Sequence, residues 1–168
     1  MGAQGVLPRL IAGWRRPGAT ILSLRGMSEA GLLALLMATM AVFMAAQWPV
    51  NTRMAQLDPS VPLDARMGGS LLAVMIIMPL FVYALAGFMQ LLARIVRLPI
   101  DGHDARLALI WTLAMIAPLM LLGGLVAGLI GPSTGLSVVN ALTGVAFLAF
   151  LALHVRALSA ARRAAPQT

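Results

Sequence analysis

Four apolar stretches, each about twenty residues long with charge confined to its ends, constrain this chain more than any motif. They cover about 30–48, 69–92, 107–130 and 136–155. At 1.5 Å rise per residue, some twenty residues of α-helix cross the ~30 Å hydrocarbon core of a bilayer. Backbone groups in lipid must find partners within the spanning structure itself, and continuous apolar runs without alternation satisfy that as helices. The composition agrees: 61% of residues are hydrophobic and 10% charged, where a globular domain carries about a quarter charged. The predicted fold class is an all-α integral membrane protein, with four transmembrane helices in two hairpins plus a short N-terminal interfacial amphipathic helix. Residues 1–29 form a cytoplasmic N-terminal segment, 30–155 a single four-span domain and 156–168 a cytoplasmic tail.

The ends of the spans carry their own signals. Ser28 is placed to cap the first span and Glu29 to sit in its first turn, where the helix dipole favours an acid. Trp48 and Pro49 supply an interfacial aromatic and a stop, and Asn51 to Met67 reads as a polar connector outside the bilayer. The second span permits a kink at Pro79 and the third bears Pro118 at its middle. Gly131, Pro132, Ser133, Thr134 and Gly135 make an uncharged turn into the fourth.

Small residues mark the expected packing faces. Ala34, Ala38, Ala41 and Ala45 recur at spacings of four, three and four, and Gly124 and Gly128 lie one turn apart; both patterns let helices approach closely. Asn140 with Gly144 four residues on predicts an interhelical hydrogen bond beside a small residue.

All twelve basic residues are arginine, and they are unevenly placed. Arg9, Arg15, Arg16 and Arg25 precede the first span, Arg94, Arg97 and Arg106 flank the central loop, and Arg156, Arg162 and Arg163 follow the fourth; Arg53 and Arg66 lie on the other side. The asymmetry predicts both termini in the cytoplasm. Leu7, Leu10, Ile11 and Trp14 fall on one helical face among Arg9, Arg15 and Arg16, the pattern of a helix lying in the membrane interface. Arg9, Arg15, Arg16, Arg94 and Arg97 are the candidate contacts to lipid headgroups. The expected partner of the basic surface is therefore the lipid bilayer, not nucleic acid.

Several kinds of chemistry are disfavoured. With no cysteine there is no thiolate ligand, thiol nucleophile or disulfide. The middle of each span lacks Asp, Glu, Lys, Arg and His, the residues that serve proton relays and ion-coupled carriers. Paired carboxylates for acid/base work are missing there too. His103 and His154 without supporting ligands do not make a metal or haem site, and the twelve methionines suit apolar filling of a helical bundle. No catalytic residue, metal or cofactor is expected.

The run LARIVRLPIDGHDARLALIWTLAMIAPLM, preceded by Arg16-Pro17, resembles the bacterial branch of the Yip (Ypt-interacting protein) family. A short glycine-containing polar loop leading into a span with a central proline carries the resemblance, at Gly102 and Pro118. It implies a multi-span membrane protein of the bacterial cytoplasmic (inner) membrane, usually with about five spans where this chain reads as four, and no catalytic residues. Two readings of function follow. One is a membrane organiser or accessory subunit of a larger complex, with an integral membrane protein partner or a homo-oligomer. The other is a transporter or permease component for a neutral solute or lipid, suggested by Pro79, Pro118, Asn140 and Tyr83 within spans.

The topology has a direct check. Single cysteines at Ser60 and Ser133 are expected to react with an impermeant thiol reagent from outside, and at Gly102 and Gln167 only after permeabilisation. External labelling at Gly102 would overturn the assignment.

Overall fold

The computed structural model describes residues 6–164, and among these every regular element is helical. The elements are α1 (Val6–Arg15), α2 (Pro17–Leu24), α3 (Glu29–Leu57), α4 (Leu63–Leu72), a π-helical turn at Ala73–Ile77, α5 (Met78–Ile95), α6 (Gly102–Leu129) and α7 (Thr134–Ala164). α4, the π turn and α5 form one rod, Leu63–Ile95, so four helices are long and apolar enough to cross a membrane. Predicted residues 165–168 and the side chain of Leu7 lie outside the described part.

α6 is the centre of the bundle. Its first half is almost wholly enclosed: Leu107, Ala108, Leu109, Ile110, Trp111 and Thr112 are all buried, sheathed by α3, α5, α7 and the two short N-terminal helices. Its most extensive partner is α3, from outside the expected hairpin with α7. α3 turns Leu32, Leu35, Leu36, Thr39, Met40, Phe43 and Ala46 inward, at the three- and four-residue spacing of one helical face.

Where α3 and α6 cross, glycine sets the separation. A Cβ on Gly124 would lie 2.8 Å from the carbonyl carbon of Ala46, and one on Gly128 would lie 2.5 Å from that of Pro49. Neither distance is open to a real side chain, so backbone meets backbone here. The alanine stripe behaves otherwise. Ala34, Ala38, Ala41 and Ala45 are exposed on the side of α3 away from α6. The larger apolar side chains take the core, and the small ones are left outside.

Pro49 does not stop α3, which continues two further turns to Leu57. A proline removes one backbone donor and crowds the preceding turn, a defect that membrane helices tolerate when packed against neighbours. The seventeen-residue connector expected at Asn51–Met67 accordingly shrinks to a tight turn between Leu57 and Leu63. In it Asp58 accepts from the Ser60 hydroxyl at 2.5 Å and amide at 3.1 Å, and Arg66 Nη2 donates to its carboxylate at 3.0 Å. These contacts, Ser60 first, hold the Asp58 carboxyl below the usual carboxylate range. Asn51 Nδ2 donates to Ser70 Oγ at 2.8 Å and ties α3 to α4.

Just before Pro79, where the second span permits a kink, regular α-helix is interrupted by the π turn. Proline has no N–H to donate to Met75 O, four residues back, and in the turn before it Met78 N–H reaches Ala73 O, five residues back. At the far end of α5, Ser28 caps α3 by accepting from Gly31 N at 3.2 Å, and Asp101 caps α6 by accepting from Asp104 N at 2.7 Å. Arg97, in the connection between α5 and α6, has a positive φ of 55°.

The crossing yields a graded expectation. Gly124→Leu and Gly128→Leu must push α3 away from α6 and are expected to destabilise the bundle by at least the ~1 to 3 kcal/mol typical of overpacking. Gly144, which meets nothing within 4 Å, serves as the control. Thermal unfolding in detergent is expected to rank both substitutions below Gly144→Leu, and equal midpoints for the three would refute the close crossing.

Candidate functional site

The most highly built polar region lies at the arginine-rich end, around the start of α6. Asp104 is 1% exposed, a burial that a carboxylate tolerates only when paired. Arg25, just after α2, donates to it through Nε at 3.2 Å and Nη2 at 3.4 Å. Arg162, near the end of α7, donates through Nε at 2.5 Å and also pairs with Asp101. Two arginines from opposite ends of the sequence thus converge on one helix N-terminus, where the dipole already favours the carboxylate. Beside this cluster, Glu29 accepts from Arg106 Nη2 at 2.6 Å and lies 3.0 Å from His103 Nδ1. Together these contacts join α2, α3, α6 and α7.

Such pairing commits the acids to structure. A carboxylate held by guanidinium groups is a poor general base. Among the described residues no group of three or more His, Asp or Glu side chains could hold a metal ion. The two histidines lie apart. His103 belongs to the Glu29 cluster. His154, near the end of the fourth apolar stretch, is fully buried on the α6-facing side of α7, with Nδ1 2.8 Å from Thr112 Oγ1. Thr112 donates its single hydroxyl proton to Ala108 O at 2.6 Å, so its oxygen accepts from Nδ1–H and His154 Nε2 is left without a partner.

α1 docks above this region. Trp14 Nε1 donates to Met115 O at 3.2 Å, and its ring meets Phe150 edge-on at 5.2 Å between centroids. Phe150 in turn stacks on His154. The face predicted to lie on the membrane is therefore divided. Leu10 and Gly13 turn toward the bundle, whereas Ile11 is 65% exposed.

The remaining predicted residues fall into distinct settings. Gly124 and Gly128 meet α3 as described. Asn140 is exposed on α7 and makes no hydrogen bond among the described residues, so the expected bond to a neighbouring helix of this bundle is not formed. Gly144, on the same exposed side, contacts no other helix. The cause is geometric: most of α7's apolar surface, including Val138, Leu142, Val145 and Leu148, is uncovered. Asn140, Gln47 and Thr143 line a small cleft of 190 Å³ between α3, α6 and α7. Arg15, Arg16, Arg94 and Arg97 are exposed and Arg9 is half-buried. None of the five has an ion-pair partner among the described residues. Tyr83, one of the polar residues within spans, is half-buried against the core and makes no side-chain hydrogen bond among the described residues.

Comparison of the chain with family models, characterised proteins and solved structures found no match.

The buried carboxylate predicts an asymmetry between the two clusters. Asp104→Ala removes charge-assisted bonds to two arginines and is expected to cost about 1.5 to 3 kcal/mol. The exposed Glu29→Ala is expected to cost under about 1 kcal/mol. Thermal unfolding of each variant at low and high salt distinguishes them, and a D104A midpoint at or above that of E29A would contradict the role given to Asp104.

Proposed function

We propose that this chain is a non-catalytic integral membrane protein, related to the bacterial Yip family, that acts as a membrane organiser or accessory subunit of a larger membrane complex. It sits in the bacterial inner membrane with both termini in the cytoplasm. The observation that carries this reading is Asn140. An amide without a hydrogen bond is costly in a span, and here it is exposed at the mouth of the cleft between α3, α6 and α7, beside Gly123 of α6, with Gly144 one turn away. A helix from another subunit can approach over Gly144 and satisfy Asn140, the arrangement by which polar and small residues join membrane helices. The exposed Ala41 and Ala45 of α3 offer a second place of close approach. The four apolar helices supply the membrane-spanning frame, and the acids at the arginine-rich end are occupied in holding it together.

A permease for a neutral solute is the second reading, and the cleft lined by Gln47, Asn140 and Thr143 favours it. Native mass spectrometry of the protein extracted in mild detergent separates the two. The subunit reading expects a homo-oligomer or a stable partner, lost together in Asn140→Leu and Gly144→Leu. A monomer that carries neutral solutes across liposomes, with flux abolished by Asn140→Leu alone, would replace it by the permease.

A further inference from the structure

The charge balance at the arginine-rich end leaves a remainder. Its acids, Glu29, Asp101 and Asp104, are taken by Arg25, Arg106, Arg162 and His103. Arg9, Arg15 and Arg16 of the N-terminal segment therefore have no internal anion among the described residues, and the fold gathers them. α1 and α2 enclose a groove of 720 Å³ whose lining includes all three guanidinium-bearing side chains together with Thr20 and Ser23. Both hydroxyls donate their protons to backbone carbonyls, Thr20 to Arg16 O at 3.0 Å and Ser23 to Thr20 O at 2.7 Å, so a ligand here is held chiefly by the arginines.

Arg9 also borders a second space. That space is a cavity of 350 Å³ lined by Leu24, Met27, Gly31, Ala34, Leu35, Ala38 and Trp111. It is apolar apart from Arg9 and the Trp111 indole, which is 1% exposed and whose Nε1 finds no hydrogen-bond partner. Gly31, Ala34 and Ala38 follow one another along α3, and seven residues of helix give a trough about 10 Å long. A cationic groove that shares one arginine with an apolar trough along α3 suits an amphiphile with an anionic head.

We propose that this pair of cavities binds one anionic glycerophospholipid, its phosphate in the α1–α2 groove on Arg9, Arg15 and Arg16 and the upper part of one acyl chain over Gly31, Ala34 and Ala38. Guanidinium groups bind phosphate oxygens through paired charge-assisted bonds, which a point of high bilayer charge alone does not supply. The trough gives a use to the glycine and alanines that α3 keeps at Gly31, Ala34 and Ala38. The site is independent of any partner at α7 and rests only on the chain being membrane-embedded, which resistance to carbonate extraction checks separately.

The test is native mass spectrometry of the full chain in mild detergent, titrated with phosphatidylglycerol and, in parallel, phosphatidylcholine. One phosphatidylglycerol is expected to be retained in preference to phosphatidylcholine. Replacing Arg9, Arg15 and Arg16 together by Gln is expected to weaken it roughly tenfold or more, and one factor of ten is about 1.4 kcal/mol. Ala34→Leu with Ala38→Leu, which fills the trough from exposed positions of α3 against Leu24, Leu35 and Trp111, is expected to do the same without lowering the unfolding midpoint. Arg94→Gln with Arg97→Gln, at the other exposed basic surface, is expected to leave binding intact. An equal loss in that control would reduce the effect to general surface charge. Displacement by inorganic phosphate would make the groove a site for the free anion, and undiminished binding in the alanine-to-leucine variant would remove the acyl seat; either result overturns the proposal.

Discussion

The contact of α3 with α6 at Gly124 and Gly128 is the constraint on which the rest of the bundle depends. Helices already in lipid gain no hydrophobic drive by associating, so what holds them is the number of atoms brought into van der Waals contact and a few polar bonds. Two glycines one turn apart bring the Ala46–Pro49 backbone of α3 onto α6. With that separation set, the leucine and methionine face of α3 fills the space toward the first half of α6, and Trp111, Met115 and Ile110 become inaccessible. α5 and α7 then take the remaining flanks. α7 does so mostly through its second half, from Ala146 to Ser159, which leaves its first half largely uncovered.

The polar contacts complement this division. In the apolar middle, van der Waals packing does the work. At the arginine-rich end, where headgroups and water weaken apolar packing, a buried carboxylate at a helix N-terminus receives arginines from before the first long helix and from the end of the last. Sequence-distant segments are thereby joined where small residues could not join them. The same arrangement decides which cations remain available: pairing Arg25, Arg106 and Arg162 inside the fold leaves Arg9, Arg15 and Arg16, with Arg94 and Arg97, as basic surface that meets the surroundings.

Run length and charge placement were sufficient to read the helical class, the four long apolar helices and the capping of α3 by Ser28, because those features depend on local chemistry. Gly124 and Gly128 were recognisable as a close-approach pair for the same reason, although nothing local says which helix they meet. The alanine stripe shows the limit of that signal: spacing identifies a face of small residues but not whether it turns inward, and here the bulkier face of α3 provides more contact. Pro49 was read by a rule for helices in water, where an unpaired carbonyl has an alternative in solvent; on a packed membrane helix the cheaper course is to continue. Asp101 and Asp104 resembled solvated loop charges because their partners, Arg25 and Arg162, are 79 and 58 residues from Asp104 in sequence. His154 was likewise legible only as a residue near an exit, since its burial depends on Thr112 from another helix and on α1 closing over Phe150.

The π turn at Ala73–Ile77 has a consequence for the whole rod that contains it. Val74 and Pro79 are both buried although five positions separate them, and the inward series then continues through Val82, Ala86 and Ala93. At about 100° per residue, an uninterrupted α-helix would place two residues five apart some 140° out of phase. The wide turn absorbs one surplus residue and keeps both halves of the rod facing the same neighbours. Removing one residue within Ala73–Ile77 would let the rod close into regular α-helix with its inner seam intact, whereas the same deletion nearer either end would rotate one part of the seam into lipid. The segment is thus the one place in Leu63–Ile95 where the chain can change length by a single residue without losing its orientation.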